Sequence, residues 1–257
     1  MKNLQFISEH HILQLAAFAG KIILTSGAEV YRVEEIVSKV GQKFNLKVDC
    51  FATLTCIIAS GKNGQGEIVS LVERINSRTT DLDKIHQINT LIKNIDKYSF
   101  CQLKSKLNEI EKIEEHPFKI KLFATALGGA SFIVSFKGDE NDFAVAFIAG
   151  AFSSIFQYLI SGLKLNSFFV NLISSSICTF TACFFFKIGF ISNPSISIIS
   201  TLMLLVPGVA FINSIRDIIA GDLVAGTSRA MEMIMIGFAI AIGAGLILTL
   251  FLGNGGF

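Results

Sequence analysis

The sequence predicts an α-helical polytopic membrane protein, with about five transmembrane helices behind a small N-terminal cytoplasmic α+β domain. Three observations carry this reading. Charged residues make up 16% of the chain, where a soluble domain carries about 25%. The charge is unevenly spread: residues 1–116 hold 15 of the 22 Lys+Arg and 14 of the 20 Asp+Glu, which leaves residues 117–257 strongly apolar. That apolar part divides into runs of bilayer-crossing length. The division falls at His116-Pro117 and gives two domains, 1–116 and 117–257.

Residues 9–26 repeat apolar positions at helical spacing (Ile12, Leu15, Ala16, Ala19, Ile22, Ile23) and stop at Ser26-Gly27. The run "HILQLAAFAGKIIL" is preceded by Glu9, His10 and His11 and interrupted by Lys21. It is too short for a bilayer and unlike a signal peptide, so a buried or interfacial helix is expected. A second helix is predicted from Ala28 to Phe44, striped by Val30, Val33, Ile36, Val37 and Val40. The period then changes. "LKVDCFATLTCIIAS" reads as one or two strands, "GKNGQG" as a turn, and "EIVSLVERI" as the returning strand. "GKNGQG" is not a phosphate loop, because the GxxxxGK[ST] order at a strand-to-helix junction is missing. Amphipathic helices over 81–95 and 99–115 complete the domain.

After Pro117 come apolar stretches at about 120–136, 143–162, 168–186, 196–212 and 230–252, each near the length a spanning helix needs. "ALGGAS", "FIAGAFSS", "ISSSICT" and "AIAIGAGL" are rich in small residues, which let helices approach closely in lipid. Lys119, Lys121, Lys164, Arg216 and Arg229 fall on one side; Lys137 and Lys187 fall on the other. The positive-inside rule therefore puts the N-terminal domain in the cytoplasm and the C-terminus outside.

The fourth stretch runs into "LLVPGVAFINSIRDIIAGD", where Pro207-Gly208 must break a helix and Asn213, Arg216 and Asp217 follow among isoleucines. A broken helix at membrane depth is tolerated inside a bundle or beside a wet cavity, as in transporters. Gly221 is a predicted helix end and Asp222 the N-cap of the last helix, which carries Arg229 and Glu232. Pro207, Gly208, Asn213, Arg216, Asp217, Asp222, Arg229 and Glu232 are thus candidates for a substrate path, their guanidinium groups suited to a carboxylate. The other reading is a solvated cytoplasmic loop. Upstream, "SGAEVYRVEE" places Glu29, Arg32 and Glu34 at a helix start. This is either ordinary dipole and i,i+3 electrostatics or a polar anchor for a ligand or for the membrane part.

Cys50, Cys56, Cys101, Cys178 and Cys183 form no CxxC pair and have no histidines at ligand spacing, so neither a metal nor a cofactor is expected. A net charge of +2 without basic–aromatic clusters argues against nucleic acid.

"SGAEVYRVEE" followed by "PGVAFINSIRDIIAGDLVAGTSRAMEM" resembles the threonine/serine exporter family. The family pattern GAExxRVE falls on Gly27, Ala28, Glu29, Arg32, Val33 and Glu34. The pattern PGxxxINSIRDxxxGDxxxGxxR falls on Pro207, Gly208, Ile212 to Asp217, Gly221, Asp222, Gly226 and Arg229. The resemblance implies a secondary exporter in the cell's inner membrane rather than an enzyme. Full-length members continue with further spans, so this chain resembles the larger subunit of the split form, linked to succinate export. It implies a short partner of about five spans, related as in inverted-repeat transporters, and leaves a higher oligomer open. The substrate would be a small carboxylate, threonine/serine-like or a dicarboxylate, with the proton gradient as drive. The alternative is a membrane-anchored ligand-sensing or hydrolytic N-terminal domain with transport done by a partner.

Overall fold

The computed structural model describes residues 8–62, 66–113, 116–163 and 165–253. The centre of the GKNGQG turn, Lys164 and the tail of the expected 99–115 helix lie outside them.

Helix α1 (Glu9–Thr25) starts where the Ser8 hydroxyl accepts from the His11 N–H, and its apolar face is buried from Ile12 to Ile23. Helix α2 (Val30–Lys43) follows after one sharp turn, with Val30, Val33, Ile36, Val37 and Val40 all buried against α1. The change of period at Leu46 is a change to β-structure. Strands β1 (Lys47–Ala52), β2 (Cys56–Lys62) and β3 (Ile68–Arg74) form one antiparallel sheet in that order. Cys50 pairs with Ala59 and Ala59 with Leu71. Strict alternation sends Val48, Ala52, Ile57 and Ala59 inward and leaves Phe51, Ile58 and Val72 exposed. The "one or two strands" of 46–60 are two.

Helices α3 (Leu82–Lys93) and α4 (Phe100–Glu111) add Ile88, Leu91, Ile92, Leu103, Leu107 and Ile110 to the same core. Their starts are set by local chemistry. The Asp81 carboxylate accepts from the Lys84 N–H, and Ser99 and Gln102 close a capping box. This compact unit, residues 1–114, also takes in residues 209–230.

The second unit comprises residues 115–208 and 231–257. Helices α5 (Phe118–Ser135), α6 (Glu140–Ile160) and α7 (Ser167–Lys187) match the first three expected spans. The fourth is interrupted: α8 (Pro194–Leu205) stops before Pro207 and α9 (Gly208–Ala220) resumes after it, as the missing proline N–H requires. The last helix, α10 (Leu223–Gly253), begins directly after Asp222, its expected N-cap, ahead of the apolar run 230–252. Among the described residues, four helices are long and apolar enough to cross a membrane, or five when α8 and α9 count as one broken span. Small apolar cores join them (Val145, Ala182, Cys183, Ile191 and Ile198; Ala130, Ile133 and Ala146). Phe123, Val134, Leu159 and Phe169 face outward. Apolar side chains around a helical bundle are what a lipid solvent demands.

Candidate functional site

The turn between α1 and α2 is the centre of the site. Gly27 has φ +89, a backbone region open mainly to glycine. A Cβ there would also lie 2.7 Å from the Thr79 carbonyl oxygen. The turn is pinned from one side by main chain: Thr79 N–H donates to Thr25 O at 2.9 Å and Asp81 N–H to Ser26 O at 3.0 Å. Helix α2 then opens on Glu29, whose side chain makes no cap bond to its own helix. The first helical amide, Val30 N–H, is satisfied from elsewhere.

It donates to Asp217 Oδ1 at 2.7 Å. Asp217 on α9 is the cap of α2, supplied from 187 residues away in sequence. Three neighbours complete a clasp on the same turn. Asn213 Nδ2 donates to Gly27 O at 3.0 Å. Arg229 Nη2 donates to Ala28 O at 2.8 Å. Arg216 Nη1 donates to Glu29 Oε1 at 2.8 Å. Arg229 Nη1 also lies 3.6 Å from Asp217 Oδ2, and Arg32 Nε lies 3.6 Å from Glu29 Oε2.

Burial divides these groups. Asp217, Arg229 and Asn213 are buried, as is Glu29. Arg216 is not: 56% of its side chain is exposed, and Arg32 follows with 38%. Two half-open guanidinium groups therefore flank one buried carboxylate. Burial pushes the Glu29 carboxyl up, but the Arg216 hydrogen bond, its own backbone and the charges of Arg32 and Arg216 hold it below its ordinary 4.5. Glu34 goes the other way. Burial raises it above 4.5, the Asp222 charge adds to that, and the Ala52 N–H, which donates to Glu34 Oε1 at 2.8 Å, opposes it.

Helix packing places the clasp. Gly221, at φ +101, ends α9, and Asp222 O accepts from Gly226 N–H at 2.9 Å to begin α10. A Cβ on Gly226 would lie 2.9 Å from both Ser214 O and Ile218 N, so only glycine lets the two helices meet this closely. That contact holds Asn213, Arg216 and Asp217 beside Arg229.

The two polar motifs read separately in the sequence thus meet in one place. Glu29 and Arg32 come together with Asn213, Arg216, Asp217 and Arg229, and Glu34 stands within electrostatic reach of Asp222. Pro207, Gly208 and Glu232 belong to the second unit. Sequence reasoning missed the main-chain partners, Gly27 O, Ala28 O and Val30 N–H. One signal was available: α2 opens on Glu, a weak N-cap, where Ser, Thr, Asp or Asn is preferred. A helix without its own cap needs a foreign one. Among the described residues, no group of three or more His, Cys, Asp and Glu is arranged to hold a metal ion.

The family described as "Putative threonine/serine exporter" matches residues 14–251. The chain belongs to this family. Among curated relatives, the threonine/serine exporter of Corynebacterium glutamicum is 25% identical over 249 residues, covering 91% of this chain and 50% of the relative. The chain thus spans about half the length of the curated relative it matches. No solved structure matches. The family is one of membrane exporters rather than enzymes, in keeping with the long apolar helices.

Proposed function

We propose that this chain is one subunit of a secondary, proton-coupled exporter of small carboxylates in a cell inner membrane. Threonine/serine-type amino acids and succinate-type dicarboxylates are the two substrate classes. A short partner with a comparable set of spans supplies the rest of the transporter. The N-terminal domain, 1–116, faces the cytoplasm together with the 209–230 segment that packs in its unit, the rest of the 117–257 part crosses the bilayer, and the C-terminus lies outside.

One observation carries the carboxylate reading: Arg216 is half exposed yet already holds a carboxylate, that of Glu29. A guanidinium binds carboxylates bidentately and exchanges one for another. A substrate carboxylate arriving at Arg216 and Arg32 displaces Glu29, and displacement loosens one of four ties on the 27–30 turn. Binding is thereby converted into movement of the clasp. Asn213 and Arg229, both tied to main-chain carbonyls, hold the turn while that exchange occurs.

The test is export from proteoliposomes holding both subunits, with threonine, serine and succinate as cargo. Arg216→Lys should retain a small fraction of flux and Arg216→Ala almost none, with the fold intact by circular dichroism. Unchanged flux in Arg216→Ala removes the reading.

A second reading has one observation in its favour. An open pocket of about 420 Å³ lies between α3 and α4, lined in part by His86, Thr90, Tyr98, Lys106 and Glu109. Its mixed charge suits a small polar ligand, so the N-terminal domain would sense cargo while the partner transports it. Under that reading Lys106→Ala abolishes regulation and Arg216→Ala leaves flux intact.

A further inference from the structure

The second unit contains a polar seam that the candidate site does not use. Asp142, in the first turn of α6, is buried, although it belongs to a helix of the bundle. Its Oδ2 accepts from the Asp139 N–H at 3.2 Å, closing a capping box. Its Oδ1 faces inward and accepts from Ser197 Oγ on α8 at 3.1 Å. From there buried hydroxyl, thiol and amide groups continue along the junction of α6, α7 and α8. Thr201, one turn beyond Ser197, donates its hydroxyl to Ser197 O at 2.9 Å, and the Cys178 thiol on α7 donates to the Ala149 carbonyl of α6 at 3.8 Å. Gln157 Nε2 donates to Ser153 Oγ at 3.4 Å and to Ser174 Oγ at 3.3 Å. From Asp142 to Gln157 the seam follows fifteen residues of α6, about 22 Å at helical rise. That is most of the roughly 30 Å hydrocarbon thickness.

Hydroxyls between spans are often no more than glue. Two features exceed that role. A buried carboxylate in a bundle is costly and marks ion or proton routes in membrane proteins. In addition, Thr179 Oγ1 on α7 and Ser200 Oγ on α8 are fully buried with no hydrogen-bond partner among the described residues. Buried polar atoms are nearly always paired, so these two hydroxyls have capacity for an arriving donor or for water. Among the described residues, none of the charged groups around Asp142 is paired with it. Lys137 in the preceding turn, Asp139 and Glu140 on its own helix and Lys187 at the end of α7 are exposed and form no ion pair with it. Helix α8 offers no ionisable group, and α7 turns only Cys178 and Cys183 inward.

We propose that Asp142 and this seam form the proton path of the exporter. The inference rests on the proton-coupled reading above and names the site of coupling. Asp142 Oδ1 takes a proton at the end of the bundle that carries Lys137 and Lys187. The Ser197 hydroxyl accepts that proton as it releases its own, and the hydroxyls beyond it, among them the unpartnered Ser200 and Thr179, pass a proton on in the same way, so one proton enters, one leaves and nothing is oxidised. A tightly packed seam suits a proton, which needs no void, better than a carboxylate cargo, which does.

The full chain in lipid vesicles tests this with two measurements. Infrared spectroscopy over a pH titration should show a protonated-carboxyl band that disappears in Asp142→Asn. An internal pH dye should show proton entry under an imposed potential, reduced at least tenfold by Asp142→Asn and by Ser197→Ala. Asp139→Asn, which keeps the cap oxygen outside the seam, should conduct as the wild type does. Absence of the band, wild-type conduction in Asp142→Asn, or vesicles no more proton-permeable than empty ones overturns the proposal. Export that ignores a pH gradient while Asp142 still titrates removes the coupling from the functional reading but leaves the seam as a proton site. Coupled export undiminished in Asp142→Asn does the reverse.

Discussion

At Asp217 a single carboxylate has two tasks: it caps α2 through Val30 N–H and faces the buried Arg229 guanidinium. Removing one member of a buried charge pair leaves the other uncompensated, at about 3–5 kcal/mol. Asp217→Asn should therefore cost far more stability than Arg216→Gln, because the Arg216 guanidinium is half exposed and its pair is worth about 1 kcal/mol or less. Thermal unfolding in detergent would rank the two, and an equal cost would contradict the clasp as drawn. The two glutamates give opposite pH signatures. Glu29 is held below its ordinary value, so its contribution is fully present above pH 4.5 and fades as pH falls through its lower folded value. Glu29→Gln should remove that acid-dependent part of the unfolding profile. Glu34 is raised, so its ionised form is a cost at neutral pH that vanishes as pH falls through its raised value to 4.5. Glu34→Gln keeps an acceptor for the Ala52 N–H. It should raise the melting temperature at pH 7 and leave it unchanged below pH 4.5.

Among elements, the contact of α9 with the start of α10 decides whether the clasp can close. Gly226→Ala puts a methyl group against Ser214 O and Ile218 N, both main-chain atoms that cannot rotate away. The expected result is a separation of the two helices and loss of the Asn213 and Arg229 ties, seen as faster amide exchange at residues 27–30. Wild-type exchange rates in Gly226→Ala would show that the close approach is not needed. The same elements mark how far the sequence could be read. The stripes of α1 and α2 and the interruption at Pro207 were legible, because periodicity and a missing N–H are local facts. The meeting of the two motifs was not. Asp217 and Val30 are 187 positions apart and Arg229 and Ala28 are 201 apart, and no spacing rule links such residues. The start of α10 was legible for a local reason as well: Asp222 after Gly221 reads as an N-cap, and its carbonyl begins the helix at Leu223, ahead of the apolar run that starts at Ala230.

For the molecule as a whole, the match covers half of a longer relative, and the proposed topology can be tested on this chain directly. Cysteines introduced at residues 137 and 189 should react with an impermeant reagent from outside intact cells, and one at residue 78 only after lysis; the reverse pattern would invert the proposed topology. The central claim is that Arg216 serves both as a tie to Glu29 and as the grip on a substrate carboxylate. Its most direct measurement is a charge swap. Glu29→Arg and Arg216→Glu should each lower the melting temperature, and the double variant should recover it while export stays absent, because the swapped pair no longer presents a guanidinium at position 216. Export returning together with stability in the double variant would contradict the claim and leave Arg216 a structural tie alone.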